Sequence, residues 1–67
     1  MLTAQVKMII VAAAEAVAEY GGEVVIGNDH AIVVRGGSHE RVTRHLKLSA
    51  AVKDGDTVDG WTIEVTP

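Results

Sequence analysis

From Thr3 to Tyr20 the apolar residues Val6, Ile9, Ile10, Ala13, Val17 and Tyr20 return at helical spacing, while Gln5, Glu15 and Glu19 gather on the opposite side. The pattern predicts an amphipathic helix. Its alanines favour helix intrinsically, and Gly21 and Gly22 supply the left-handed backbone that ends it. Met8 and Val11 fall outside the apolar stripe. Two accounts of them stand: a neighbouring strand covers them, or they form a contact between copies of the chain.

Glu23 to Ile26 and Ala31 to Arg35 are short and rich in Val and Ile, and the segment between them, Gly27, Asn28, Asp29 and His30, has turn chemistry. Together they predict a β-hairpin. Both parities are apolar, with Val24, Ile26 and Val33 expected on one face and Val25, Ile32 and Val34 on the other. Such a sheet needs cover on both faces, by two helices or by one helix and a second subunit.

Gly36 and Gly37 break the strand, Ser38 is the expected N-cap, and from His39 helical spacing resumes through Val42, Leu46 and Ala50. Arg41, Arg44, His45 and Lys47 occupy the other side of this second helix. Leu48 and Val52 fall on that basic side, so the helix is expected to end near Ser49 or to bury a second, narrower face. Lys53 to Asp56 reads as a turn, and Asp59 and Gly60 as a bulge or tight turn after Val58. Trp61, Ile63 and Val65 then alternate with Thr62, Glu64 and Thr66, the period of a half-buried strand. The expected fold is α+β, in the order helix, strand, strand, helix, strand, with a small antiparallel sheet packed on two helices.

A length of 67 residues leaves room for a single domain spanning 1–67. A chain this short buries roughly 60% of the surface its unfolded form exposes, so a partner or a staple matters to it. It has no cysteine, which excludes a disulfide and a four-cysteine zinc site, and 48% hydrophobic residues with a net charge of −3 exclude intrinsic disorder. The run from Met8 to Ala14 after Lys7, with Ala14, Glu15 and Ala16 beyond it, is at the lower limit for a signal-peptide core. It is also well short of the ~20 residues that cross a bilayer. The chain is therefore expected to be soluble and cytoplasmic, with no membrane partner.

Charge is segregated. Between Arg35 and Lys53 five cations stand against Glu40 alone, a local balance of +4 in a chain that is −3 overall. A basic helix behind a glycine turn can set Arg35, Arg41, Arg44 and Lys47 on a phosphate backbone, with the helix start at Ser38 adding oriented amides. The competing account is a solvated helix face neutralised by acidic neighbours such as Glu15, Glu19 and Glu64. His30, His39 and His45 are the side chains that titrate nearest neutral pH. His30 lies at the hairpin turn beside Asp29, and His39 lies in the first turn of a helix, where backbone charge favours the neutral ring of a general base. These two are the catalytic candidates, against plain roles as a turn residue and a capping-region residue. No nucleophile elbow or P-loop spacing is present, and no metal or cofactor site is expected, since His39 and His45 are six residues apart and point to different sides of a helix.

Gly37, Ser38 and His39, followed by Arg44 and His45, resemble the Gly-Ser-His segment of HicA-type toxins, small mRNA interferases with a fold like double-stranded RNA-binding domains. The resemblance implies an RNA-cleaving histidine, a basic surface that reads RNA shape, and an antitoxin partner. A second register aligns Asn28, Asp29 and His30, followed by Ile32 and Val33, with the place after one helix and one strand where that family has its histidine. The departures are the family's third strand before its second helix, its basic charge, and here a strand that closes the chain. Tyr20 and Trp61 are the only aromatics available for base stacking.

Two functions are carried forward. One is a small RNA-binding module that uses Arg35, Ser38, Arg41, Arg44 and Lys47, with ribonuclease activity through His30 or His39 left open. The other is a non-catalytic protein-interaction domain, a homo-oligomer built through the first helix and the hairpin.

Overall fold

Helix α1 (Ala4–Tyr20) begins where the Thr3 hydroxyl accepts the Val6 N–H at 3.2 Å, a side-chain N-cap. The same hydroxyl donates to Asp59 Oδ2 at 2.6 Å, which ties the helix start to the far end of the chain. The structure is a computed structural model that describes residues 2–67. Strands β1 (Glu23–Ile26) and β2 (Ala31–Arg35) follow, then α2 (His39–Ala50), the two-residue β3 (Thr57–Val58) and β4 (Trp61–Thr66). The α+β class and the order of the main elements hold, with β3 added before the closing strand.

The sheet order is β1-β2-β4-β3. β1 and β2 pair antiparallel, as do β3 and β4, but the central pair β2–β4 is parallel. This corrects the expected antiparallel sheet: α2 carries the chain back across the sheet, and a crossover of that kind returns the next strand in the same direction. Asp59 and Gly60 form the β3–β4 turn, both at positive φ (50° and 84°), as a two-residue hairpin turn of the primed type requires.

The hairpin register pairs Val24 with Val34 and Ile26 with Ile32, while β2 and β4 pair Ile32 with Ile63 and Val34 with Val65. All six therefore share one face. The four-residue loop after Ile26 keeps even positions opposite even positions, so Val25 shares the other face with Val33, in place of the grouping expected from the sequence. Both helices pack on the Ile32–Ile63 face, α1 over β1 and β2 and α2 over β4. Ile9, Leu46, Ile32 and Ile63 are fully buried between the layers. Among the described residues no helix lies on the second sheet face. Val52 is also buried, after α2 ends at Ala50 and Ala51 turns the chain with a left-handed backbone.

The two diglycine turns meet. Gly21, Gly22, Gly36 and Gly37 all have positive φ, and the pairs pack backbone to backbone. A Cβ on Gly37 would collide with the Gly21 carbonyl, and one on Gly22 would lie 2.6 Å from the Arg35 carbonyl oxygen. Ser38 N–H donates to the Tyr20 carbonyl oxygen at 3.0 Å across this contact. Ser38 is the N-cap of α2 by position, yet its side chain makes no capping hydrogen bond.

Gly37→Ala is expected to lower stability by about 3 kcal/mol or more, since it combines left-handed strain with a backbone collision. Gly55→Ala, at a φ of 90° with open space around it, carries only the strain, about 1–2 kcal/mol. Urea unfolding of both variants checks the difference; equal losses would contradict the glycine contact.

Candidate functional site

Helices α1 and α2 run antiparallel, so that Tyr20 at the end of α1 lies by the start of α2 and Lys7 to Ala12 lie by its end. A furrow runs between them. At one end Tyr20, Arg41, Arg44, His45, Leu48 and Ser49 enclose about 380 Å³. At the other end Met8, Val11, Ala12 and Ser49, with Lys7 and Glu15 at the margins, enclose about 310 Å³. Ser49 belongs to both, so the two ends are continuous.

Of the expected RNA-contacting set, Arg41 and Arg44 are the two that line the furrow. They stand three residues apart on α2, neighbours on one helix face. Arg44 is held by Glu40 at 3.2 Å on the helix surface, while Arg41 has no ion-pair partner among the described residues. Lys47 is exposed in the last turn of α2, where a cation suits the helix dipole, and does not line the furrow. Arg35 lies in the sheet, where its Nε donates to Glu23 Oε1 at 2.7 Å across the β1–β2 pair. The Ser38 N–H is taken by Tyr20. The cations of the basic segment are thus divided between the sheet, which holds Arg35, and the helix layer, which holds Arg41, Arg44 and Lys47.

His30 and His39 stand at opposite ends of β2, separated by a five-residue strand, about 17 Å at the usual rise. His30 has a left-handed backbone (φ 59°), and its ring lies 4.8 Å from the Trp61 ring at a tilt of 48°. It covers one side of Trp61, a packing role. His39 is exposed on the first turn of α2. Among the described residues no three His, Asp or Glu side chains converge as metal ligands would.

The histidine that lines the furrow is His45. Its Nε2 is buried, makes no hydrogen bond, and lies 3.6 Å from Glu15 Oε1, while its ring meets Tyr20 edge-on at 6.2 Å. His45, Tyr20 and Leu48 were not among the residues singled out from the sequence as a site. The signal for His45 was its helical position three residues after buried Val42, which turns it toward α1. Tyr20 reads as core from its spacing, and its place in the furrow depends on the glycine contact that brings the α1 end to α2.

Three of the carboxylates brace the fold. In the loop before β3 the Asp54 carboxylate accepts the Val65 N–H at 2.8 Å, and Asp56 accepts the Lys53 N–H at 2.9 Å. With Asp59 on Thr3, three of the nine acidic residues hold the loop and the helix start in place. The two helices carry four cations and three carboxylates, the rest of the chain two cations and six carboxylates. The helix layer is the less acidic side of the molecule.

Comparison with protein-family models, with curated proteins and with solved structures finds no match for this chain. Among the described residues no helix is long and apolar enough to cross a membrane.

Both surface ion pairs are solvent-exposed, so Glu23→Gln and Glu40→Gln are each expected to change stability by less than about 0.5 kcal/mol. Thermal unfolding at low salt checks this, and a loss above about 1 kcal/mol would mean that these pairs hold the fold.

Proposed function

We propose that this domain is a non-catalytic protein-interaction module that self-associates, with surface from its first helix and its hairpin. One observation carries the reading: large apolar side chains lie exposed on both elements. Met8 and Val11 on α1 are 61% and 57% exposed, and no strand covers them. Val25 and Ile26 on β1 are exposed as well, and Leu48 of α2 is 79% exposed. A 67-residue domain with a small core gains from covering such surface, since each apolar group removed from water stabilises the assembly.

Sedimentation from low to high micromolar concentration tests it. The account expects the mass to rise toward twice 7.1 kDa. A 7.1 kDa species at every concentration would remove self-association.

RNA binding is the second reading, favoured by the furrow that sets Arg41 and Arg44 beside Tyr20 and His45. In its fullest form it is a HicA-like ribonuclease paired with an antitoxin. Two clustered arginines neutralise few phosphates, so binding of this kind is confined to low salt. On this reading the wild type retards RNA in a low-salt gel and Arg41→Glu with Arg44→Glu abolishes the retardation; wild-type protein that leaves RNA unshifted ends it. His30→Ala and His39→Ala, made separately, distinguish cleavage from binding, because binding survives both.

A further inference from the structure

The two edges of the sheet are finished differently. On the β3 side, β4 pairs with β3 only at Trp61 and Thr62, and the loop before β3 covers what lies beyond. Gly55 N–H donates to the Ile63 carbonyl at 2.8 Å, Ile63 N–H donates to the Asp56 carbonyl at 2.8 Å, and Asp54 accepts the Val65 N–H. That edge is capped. Among the described residues nothing covers the edge formed by β1 in this way. Its sequence, Glu-Val-Val-Ile, contains no lysine or proline, residues that blunt an exposed edge strand, and its one charge, Glu23, is paired with Arg35 of β2.

The register says which groups are bare. Gly27 N–H donates to the Ala31 carbonyl at 2.8 Å, so Gly27 turns its peptide groups toward β2. Because these groups alternate along a strand, Val25 also faces β2, and the N–H and C=O of Val24 and Ile26 point outward. Ile26 belongs to the core face but stands at its rim, 45% exposed, and Val24 beside it is half-buried. Above them Ile10 and Val17 are half-buried and Ala14 is exposed, on the flank of α1 that faces away from the furrow and α2. The bare hydrogen-bonding edge and an apolar rim therefore coincide.

We infer that two copies of this chain pair through β1 in antiparallel fashion, with Val25 facing Val25 of the second copy across a two-fold axis perpendicular to the sheet. The register follows from the geometry. With Val25 on the axis, Val24 of each copy lies opposite Ile26 of the other, and each such pair exchanges two N–H to C=O bonds. All the outward groups of Val24 and Ile26 are then satisfied. Centring the pair on Val24 instead leaves Ile26 opposite Gly22, with its apolar side chain still at an open rim. In the Val25-centred register Glu23 faces Gly27, so no two carboxylates oppose each other. The result is one continuous eight-stranded sheet with both helix layers on the same side. The Ile10–Val17 flanks of the two α1 helices face each other, and Ala14 offers little bulk between them. The inference rests on the self-association reading and assigns it a surface within the exposed apolar set: the β1 edge with Val25 and Ile26, and the flank of α1 above it.

Val25 lies on the uncovered sheet face at 37% exposure, so changing it leaves the buried core intact. Val25→Lys places two like charges opposite each other and is expected to weaken the dimer about tenfold or more. A one-to-one mixture of Val25→Lys and Val25→Glu is expected to dimerise again, which also shows that both variants fold. Val25→Cys, the only thiol in the chain, is expected to cross-link under mild oxidation, since facing residues on the axis are a non-hydrogen-bonded pair with their Cα atoms about 4.5 Å apart. A dimer that persists in Val25→Lys but dissociates in a Met8→Glu, Val11→Glu variant overturns the strand pairing and leaves self-association standing. A wild type that stays monomeric at all concentrations overturns both.

Discussion

The contact between the two diglycine turns is the constraint on which the rest depends. Gly21 and Gly22 end the first helix, Gly36 and Gly37 end the second strand, and these two corners touch through bare backbone. A Cβ at Gly22 or Gly37 would collide with the facing backbone. The close approach lets Ser38 N–H reach the Tyr20 carbonyl, which pins the start of α2 to the end of α1. Once that corner is fixed, the helices must run antiparallel on one face of the sheet. The chain must then cross over to lay β4 parallel to β2. The furrow, the position of His45 against Glu15, and the open second face of the sheet are all downstream of that corner.

Polar chemistry is spent mainly on holding the fold. The acidic excess lies in and around the sheet, where Asp54, Asp56 and Asp59 accept hydrogen bonds that fasten the loop and cap one sheet edge. Arg35 and Arg44 each meet a carboxylate on their own surface. The surface left over has a substantial apolar part: Met8 and Val11 on α1, Leu48 on α2, and the β1 edge with its rim. A molecule whose loose ends are apolar surface and unpaired strand backbone is suited to contacts with protein. Two arginines beside a furrow give it only modest purchase on a polyanion.

Much of this was legible in the chain itself. Period and punctuation marked both helices, the hairpin and the closing strand, because glycine pairs and alternating Trp61, Ile63 and Val65 are local signals. Parallel pairing of β2 with β4 was not, since it depends on where α2 returns the chain and no local residue records that. The two faces of the hairpin were mis-sorted for a related reason: the parity of the strands is set by the loop length, not by the apolar residues in either strand. The short β3 reads as loop because two residues carry no period. For the site, helical spacing correctly placed Arg41 and Arg44 together. It could not show that Arg35 turns into the sheet toward Glu23, or that His30 packs on Trp61, because both partners are distant in sequence. Met8 and Val11 were rightly marked as surplus to the apolar stripe, and the covering strand that would have explained them is absent among the described residues.

The most direct measurement is amide hydrogen exchange at Val24 and Ile26 as a function of protein concentration. In a lone copy their N–H groups point away from β2 into solvent and exchange fast, while Val25 N–H, bonded to β2, is slow. The account predicts that Val24 and Ile26 become protected as concentration rises and that Val25 changes little. Fast exchange of Val24 and Ile26 at concentrations where the protein is dimeric would contradict it.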